Sequence, residues 1–262
     1  LLAPGYFLQA HDARHSVFYL LEFDKAIRDG TLYPRWGIDF ALGYGYPLFS
    51  YYSPAAYYLA ELFHLLGAGL TDAVKLTCLA ATLLSGFTMY GFVRRLFGRG
   101  AGVLAAVIYI YIPYHLLDVY VRGSLAEFVA FIFVPLVFWA FFELFERPSL
   151  RRAGLAALAY ASLIMTHNGT FLMTTPLLVA YCLFSLLKKR PSEDVSASPA
   201  VPLWHRLAAG LGAAVLAFAL SAVMLFPTVL ERGFIAQEQW TQGSFSYVKH
   251  FTYPGQLLSP FW

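Results

Sequence analysis

Long apolar runs separated by short polar connections dominate the chain. A membrane-spanning helix needs about 20 predominantly apolar residues at 1.5 Å rise each. Runs that meet or approach this length cover 72–93, 101–117, 125–145, 153–166, 170–187 and 207–229. The fourth is short and ends in the polar Thr166-His167-Asn168-Gly169. Pro135, Pro176 and Pro227 interrupt later runs and predict kinks there. Ahead of the first run, 12–29 has helical periodicity, with Val17, Leu20, Leu21 and Ile27 on one stripe and Gly30 just past its end. The pattern predicts an all-α membrane bundle of about six complete spans.

Composition points the same way. Of 262 residues, 59% are hydrophobic and only 13% charged, about half the charge content of a soluble domain. So little polar surface cannot cover a water-facing protein, and membrane lipids are the expected surroundings. A net charge of +3 and the lack of a basic stripe exclude a nucleic-acid partner. Cys78 and Cys182 lie inside apolar runs and read as small core residues rather than a disulfide or metal pair. With no initiator Met and no charged region ahead of an apolar one, no signal peptide is visible. A fragment truncated at both ends is the expectation.

Lys and Arg set the orientation. Three connections, carrying Arg94-Arg95 with Arg99, Arg147 with Arg151-Arg152, and Lys188-Lys189-Arg190 with Arg206, hold ten of the 18 basic residues and four of the 15 acidic ones. The remaining connections hold eight basic and eleven acidic residues. By the positive-inside rule the first set is cytoplasmic. The stretch 52–67 is apolar enough to suggest a further span, but crossing there would invert every later connection. With Glu61, His64 and only about 16 residues, it reads as a helix along the outer surface with its tyrosines at headgroup level. Residues 3–70 then form one outer loop, 71–229 the six-span bundle and 230–262 a second long outer loop, in a single transmembrane domain. Pro191–Pro202 reads as an inner linker.

Candidate chemistry gathers on the outer face, where ionisable groups at a membrane boundary are costly and seldom incidental. His11-Asp12-Ala13-Arg14-His15 is the densest cluster. On a helix His11 and His15 share a face, and Asp12 and His15 meet at i,i+3. That set suits a divalent cation or a carboxylate general base, though it lacks the HExxH arrangement; a solvated amphipathic helix is the plain alternative. Tyr33-Pro34-Arg35-Trp36 and Gly43-Tyr44-Gly45-Tyr46-Pro47 form an irregular, aromatic turn sequence, suited to a sugar ring or a headgroup, or else simply an interfacial belt. Asp118, Arg122 and Glu127 stand at the top of two spans, as an ion pair or as a phosphate clamp. His167-Asn168 sits at a helix-to-helix turn on the same face. Asn168-Gly169-Thr170 matches a glycosylation acceptor, but too close to the membrane to be one.

These pieces in this order resemble the bacterial integral membrane family named for a 6-pyruvoyl-tetrahydropterin synthase-related domain. They also resemble, more broadly, the GT-C superfamily of polytopic glycosyltransferases. The residues carrying the resemblance are His11-Asp12 with His15, Gly30 with Tyr33-Pro34-Arg35-Trp36, Gly43-Tyr44-Gly45-Tyr46-Pro47, Arg122-Gly123 with Ala126-Glu127, Phe133-Val134-Pro135-Leu136 and Thr166-His167-Asn168. The family name carries no pterin chemistry here. The resemblance implies a GT-C-like bundle in the plasma (inner) membrane, its active face outward. It would transfer a sugar from a polyprenyl-phosphate carrier to an acceptor. Asp12 takes the place of the family's catalytic acid, with His11 and His15 supporting it or sharing a divalent cation (Mg or Mn). Arg122, Glu127, His167, Asn168, Arg35 and Trp36 become the phosphate- and substrate-binding set. Many relatives carry two adjacent acids where this chain has His11-Asp12. A transporter or flippase, and a catalytically silent scaffold, remain the competing readings of the same loops.

Overall fold

A computed structural model describes residues 5–6, 9–187, 201–234 and 246. The basic segment 188–190, most of the 191–202 linker and nearly all of the 230–262 loop lie outside the described residues. The chain divides into two units, Leu1–Leu225 and Phe226–Trp262. In the second, the described residues are the end of the last helix and a short turn, Arg232–Phe234.

Among the described residues, helices account for all regular structure apart from a single antiparallel bridge between Gly37 and Tyr46. The first three are α1 (Ala13–Arg28), α2 (Leu48–Tyr51) and α3 (Ala55–Leu65). Then come α4 (Leu70–Phe97), α5 (Arg99–Tyr111), α6 (Pro113–Leu117), a π turn (Asp118–Arg122) and α7 (Leu125–Glu146). The last four are α8 (Leu150–Thr166), α9 (Asn168–Leu187), α10 (Leu203–Leu220) and α11 (Ala222–Leu230). Among the described residues, five segments are long and apolar enough to cross a membrane: α4, the near-continuous Arg99–Arg122, α7, α9 and α10. The chain is therefore an all-α polytopic membrane protein.

Two differences from the expected six spans have local causes. Helix α8, with 17 residues, is about 25 Å long, a little short of a ~30 Å hydrocarbon core. The expected 207–229 span is broken at Ser221, whose φ of −91° and ψ of 0° end α10 before α11 begins. The predicted kink residues do not end their helices: α7, α9 and α11 each run through an internal proline. Proline leaves the carbonyl four residues earlier without its helical donor. In α7 that carbonyl is Phe131 O, and Tyr109 of α5 donates its hydroxyl to it at 3.0 Å. Thr88 of α4 donates to the neighbouring Ile132 O at 2.9 Å. The proline is thus paired from outside its own helix, and the pairing ties α4 and α5 to α7.

Helix α7 is the centre of the bundle, packed against α4, α8 and α9. One half of it joins a core with Leu20, Phe49, Tyr57 and Val74. The other half joins a second core with Ala156, Tyr160 and Leu163. The C-terminal ends of α4 and α7 meet through Arg95 Nε and Glu143 Oε1 at 2.6 Å. Near the start of α10, Arg206 donates to Ser185 O of α9 at 2.6 Å. The described arginines of the basic connections thus gather at one end of the bundle, away from α1.

Helix α1 ends as the periodicity predicts, with Gly30 at φ +86° just beyond it. Its buried face differs from the predicted stripe. Ala13, Ser16, Leu20 and Phe23 pack inward, and Glu22 and Asp24 are buried beside them. Glu22 accepts Lys25 Nζ at 3.0 Å and Asp39 N at 3.0 Å, and Asp24 accepts Arg28 Nε at 2.6 Å. These acids belong to the fold's own hydrogen bonding.

Helix α3 has 11 residues, about 16 Å, too short to cross. Its tyrosines, however, are not both at headgroup level. Tyr57 is 1% exposed, in an aromatic cluster with Phe23, Phe49, Tyr19 and Tyr52. Alanines at 56 and 60 let α3 lie close to its neighbours, which turns the Tyr57 ring into the core.

Candidate functional site

The site is assembled where α1 begins. Gly123 has φ +68°, the left-handed region that a residue with a Cβ enters at a cost. Its backbone also lies against α1: a Cβ there would stand 2.7 Å from Ala13 N and 3.0 Å from Ala13 Cα. This approach permits two main-chain hydrogen bonds, His11 N to Val121 O at 3.0 Å and Asp12 N to Arg122 O at 2.7 Å. Ser16 Oγ adds a contact to Gly123 O at 3.3 Å. Asp12 and Arg122, 110 positions apart in sequence, are therefore backbone neighbours.

Asp12 is the N-cap residue of α1, but its carboxylate caps no backbone N–H. It is half exposed, and its Oδ1 lies 3.5 Å from His15 Nδ1, the i,i+3 contact expected from the spacing. His15 stacks loosely on Tyr19 at 6.1 Å. His11 is exposed. Among the described residues no group of three or more His, Cys, Asp or Glu side chains converges as a metal's ligands would. Asp12 and His15 provide two donors that already face each other, and no step below is routed through a cation.

Arg122 is held by three partners, all on one nitrogen. Nη1 reaches Glu127 Oε2 at 2.7 Å, Tyr114 Oη at 2.7 Å and Asp118 Oδ1 at 3.0 Å. Tyr114 in turn donates to Glu127 Oε1 at 2.7 Å. The other side of the group carries Nε and Nη2. That pair forms the planar edge that guanidinium presents to a phosphate. Asp118 is 0% exposed, and its Oδ2 has no hydrogen-bond partner among the described residues. Glu127 stands in the first turn of α7, where the helix dipole favours its charge.

Tyr114 escapes a reading based on charge clusters alone, whereas Asp118 stands where that reading put it, paired with Arg122. Tyr114, Asp118 and Arg122 recur every four residues, so a helix face joins them. Ile112, held extended at ψ 136° ahead of Pro113, starts a new helical segment on which all three sit. The segment closes as a π turn, a form that recurs at functional sites.

The remaining candidates divide. His167 lies in the electrostatic field of Glu127 and Arg122. Its Nδ1 accepts from Thr170 N at 3.2 Å, beside Thr170 Oγ1 at 2.8 Å. That geometry puts the proton of the neutral ring on Nε2. Burial, with Arg122 acting in the same direction, pushes its pKa down. Asn168 serves the fold: Nδ2 donates to Tyr51 O at 2.7 Å, and Oδ1 accepts from Ser53 Oγ. Its amide ties the α8–α9 turn to the loop before α3. Arg35 is likewise occupied, with Nη2 donating to Val223 O at 3.1 Å and the guanidinium over Tyr33 at 5.4 Å. Pro227 leaves that Val223 carbonyl without its helical donor. Trp36 is half exposed and lies over Gly45, where a Cβ would stand 2.1 Å from its indole nitrogen. The aromatic turn sequence thus folds on itself around the Gly37–Tyr46 bridge.

A bundle of apolar helices capped at one end by an ion-paired polar cluster defines a multi-pass α-helical membrane protein. The chain belongs to the membrane-protein family described as the 6-pyruvoyl-tetrahydropterin synthase related domain, whose model matches residues 49–262. It is similar to a protein of Lactococcus lactis subsp. cremoris (strain MG1363) described as "Uncharacterized protein". The two are 22% identical over 229 residues, covering 85% of this chain and 36% of that relative. The chain thus spans about a third of that relative's length. No solved structure matches it.

Proposed function

We propose that the chain carries the active site of a GT-C-type glycosyltransferase. In this reading it takes a sugar from a polyprenyl-phosphate carrier and transfers it to an acceptor hydroxyl on the outer face of the plasma membrane. The observation that supports this most is the juxtaposition of Asp12 with Arg122 through the 2.7 Å backbone hydrogen bond. A half-exposed carboxylate and a guanidinium thereby stand together at one end of the bundle.

Transfer forms a bond from the acceptor oxygen to the sugar's anomeric carbon and breaks that carbon's bond to the phosphate oxygen. The acceptor proton passes to the Asp12 carboxylate, which caps no backbone N–H of α1 and is faced by His15 Nδ1 at 3.5 Å. The electron pair of the broken bond stays on the phosphate, whose growing charge meets Nε and Nη2 of Arg122. Glu127, Tyr114 and Asp118 fix the guanidinium from its other side. His167, with its Nε2 proton, lines the wall. Asn168 and Arg35 take no part beyond holding the loops.

The test is transfer of labelled sugar from polyprenyl-phosphate donors by membranes carrying the full-length protein. Loss of a general base costs about 10²–10⁴-fold in rate. Asp12→Asn should fall by that much while retaining its Tm, and Arg122→Gln should fall with it. Wild-type rates for Asp12→Asn with every donor the unmodified protein uses would refute the assignment.

A further inference from the structure

The opposite, basic end of the bundle carries a feature that sugar transfer leaves unused. Trp139 of α7 lies across α4 because position 91 is glycine: a Cβ there would stand 2.3 Å from the indole ring. Grooves open on both sides of that ring. One, about 420 Å³, runs between α4 and α7 past Phe87, Tyr90 and Gly91. The other, about 450 Å³, runs between α7 and α8 past Phe133, Leu136 and Leu158. Both end in arginines. Arg94 and Arg95 close the first. Arg152 closes the second, and a further recess of about 460 Å³ adds Arg151. The recesses adjoin one another: Trp139 is the wall between the first two, and Glu143, Arg152 and Leu155 line the last two.

The charge at this end is unbalanced. Four arginines line it against one carboxylate, Glu143, which is already paired with Arg95 at 2.6 Å. Arg152 Nη1 takes the Arg147 carbonyl at 2.7 Å, and Arg94 stands over the Tyr90 ring at 5.7 Å. Among the described residues neither Arg94 nor Arg151 has a carboxylate partner.

We propose that this end binds a diacyl anionic phospholipid of the bilayer, its phosphate among Arg94, Arg151 and Arg152 and its two chains straddling Trp139. Two grooves flanking Trp139, each with arginines at its basic end and bridged there by the Arg95–Glu143 pair, match a two-chain lipid. A polyprenyl phosphate, with a single chain, would fill only one. Basic pockets between spanning helices are a recurrent way to hold such headgroups. The site is independent of the transferase reading and lies at the other end of the bundle from Asp12.

The full-length protein, purified in mild detergent, would be offered phosphatidylglycerol and phosphatidylcholine in equal amounts and its retained lipid weighed by native mass spectrometry. Phosphatidylglycerol should be retained preferentially. Each arginine near a membrane surface is worth about fivefold in anionic-lipid affinity, so replacing Arg94, Arg151 and Arg152 by Gln should lower retention by on the order of 100-fold. Because those charges also help orient the chain, Leu155→Trp provides a second variant: it narrows the α7–α8 groove, keeps every charge, and should also lower retention. Arg122→Gln should leave retention unchanged. Equal retention of the two lipids would overturn the proposal, as would unchanged retention in both variants. So would displacement of phosphatidylglycerol by an equal amount of polyprenyl phosphate.

Discussion

Gly123→Ala isolates the contact that brings the two halves of the candidate site together. The new methyl would meet Ala13 N at 2.7 Å and Ala13 Cα at 3.0 Å, against an ordinary carbon contact of about 3.5 Å or more. The start of α1 must therefore retreat by several tenths of an ångström. Alanine also carries a left-handed penalty of about 1–2 kcal/mol at φ +68°. Weakening the 2.7 Å Asp12 N to Arg122 O bond adds about 1 kcal/mol. A total near 2–3 kcal/mol should appear as a lower Tm in detergent. The rate should fall further than stability accounts for, because a misplacement approaching 1 Å costs up to about 10²-fold. The assay pairs a thermal melt with initial transfer rates measured well below Tm. A wild-type Tm and rate would show that α1 is not held at Gly123. A lowered Tm with an unchanged rate would show that α1 is held there but that Asp12 does not act.

Two further outcomes follow from buried groups. Glu61 of α3 is 3% exposed, and neither of its carboxyl oxygens meets a hydrogen-bond donor among the described residues. Burial, with Asp24 adding to it, raises its pKa to about 6. The folded state thus binds the Glu61 proton more tightly than the unfolded state, so stability falls as pH rises from about 4.5 through 6. Glu61→Gln should leave Tm unchanged at pH 4.5 and raise it at pH 7.5 by an amount corresponding to about 2 kcal/mol; an equal gain at both pH values would refute the assignment. Tyr109→Phe should cost about 1 kcal/mol by leaving Phe131 O without a donor in the bilayer. In a double-mutant cycle, Pro135→Ala should erase most of that cost by restoring the helical donor; full additivity would show that Tyr109 does not act through this carbonyl.

The apolar runs announced the spans because lipid imposes one length on every crossing, and α3 was separable from them by its brevity. The connection from α1 to Gly123 was not legible. It consists of main-chain hydrogen bonds, to which side-chain patterns are blind. The pairing of Arg122 with Glu127 could be read from charge and proximity. Tyr114 could have been found from its four-residue spacing with Asp118, but an uncharged residue in an aromatic-rich chain does not stand out. The partners of Asn168 and Arg35 were not legible either. A polar group at a membrane boundary can serve the fold as readily as a ligand, and only its partners distinguish the two. The Val223 carbonyl that occupies Arg35 lies 188 positions away.

The acid and the cation of the site are fixed by different kinds of bond. Asp12 is placed by backbone atoms at 121 and 122, a scaffold any residue at those positions would provide. Arg122 is placed by three side chains acting on one nitrogen. Sequence drift can therefore retune the cation, through Tyr114, Asp118 or Glu127, without moving the acid. On the transferase reading, relatives that handle different carriers should differ among these three positions while keeping glycine at 123, which makes the acid's location the slower-changing coordinate of the pair.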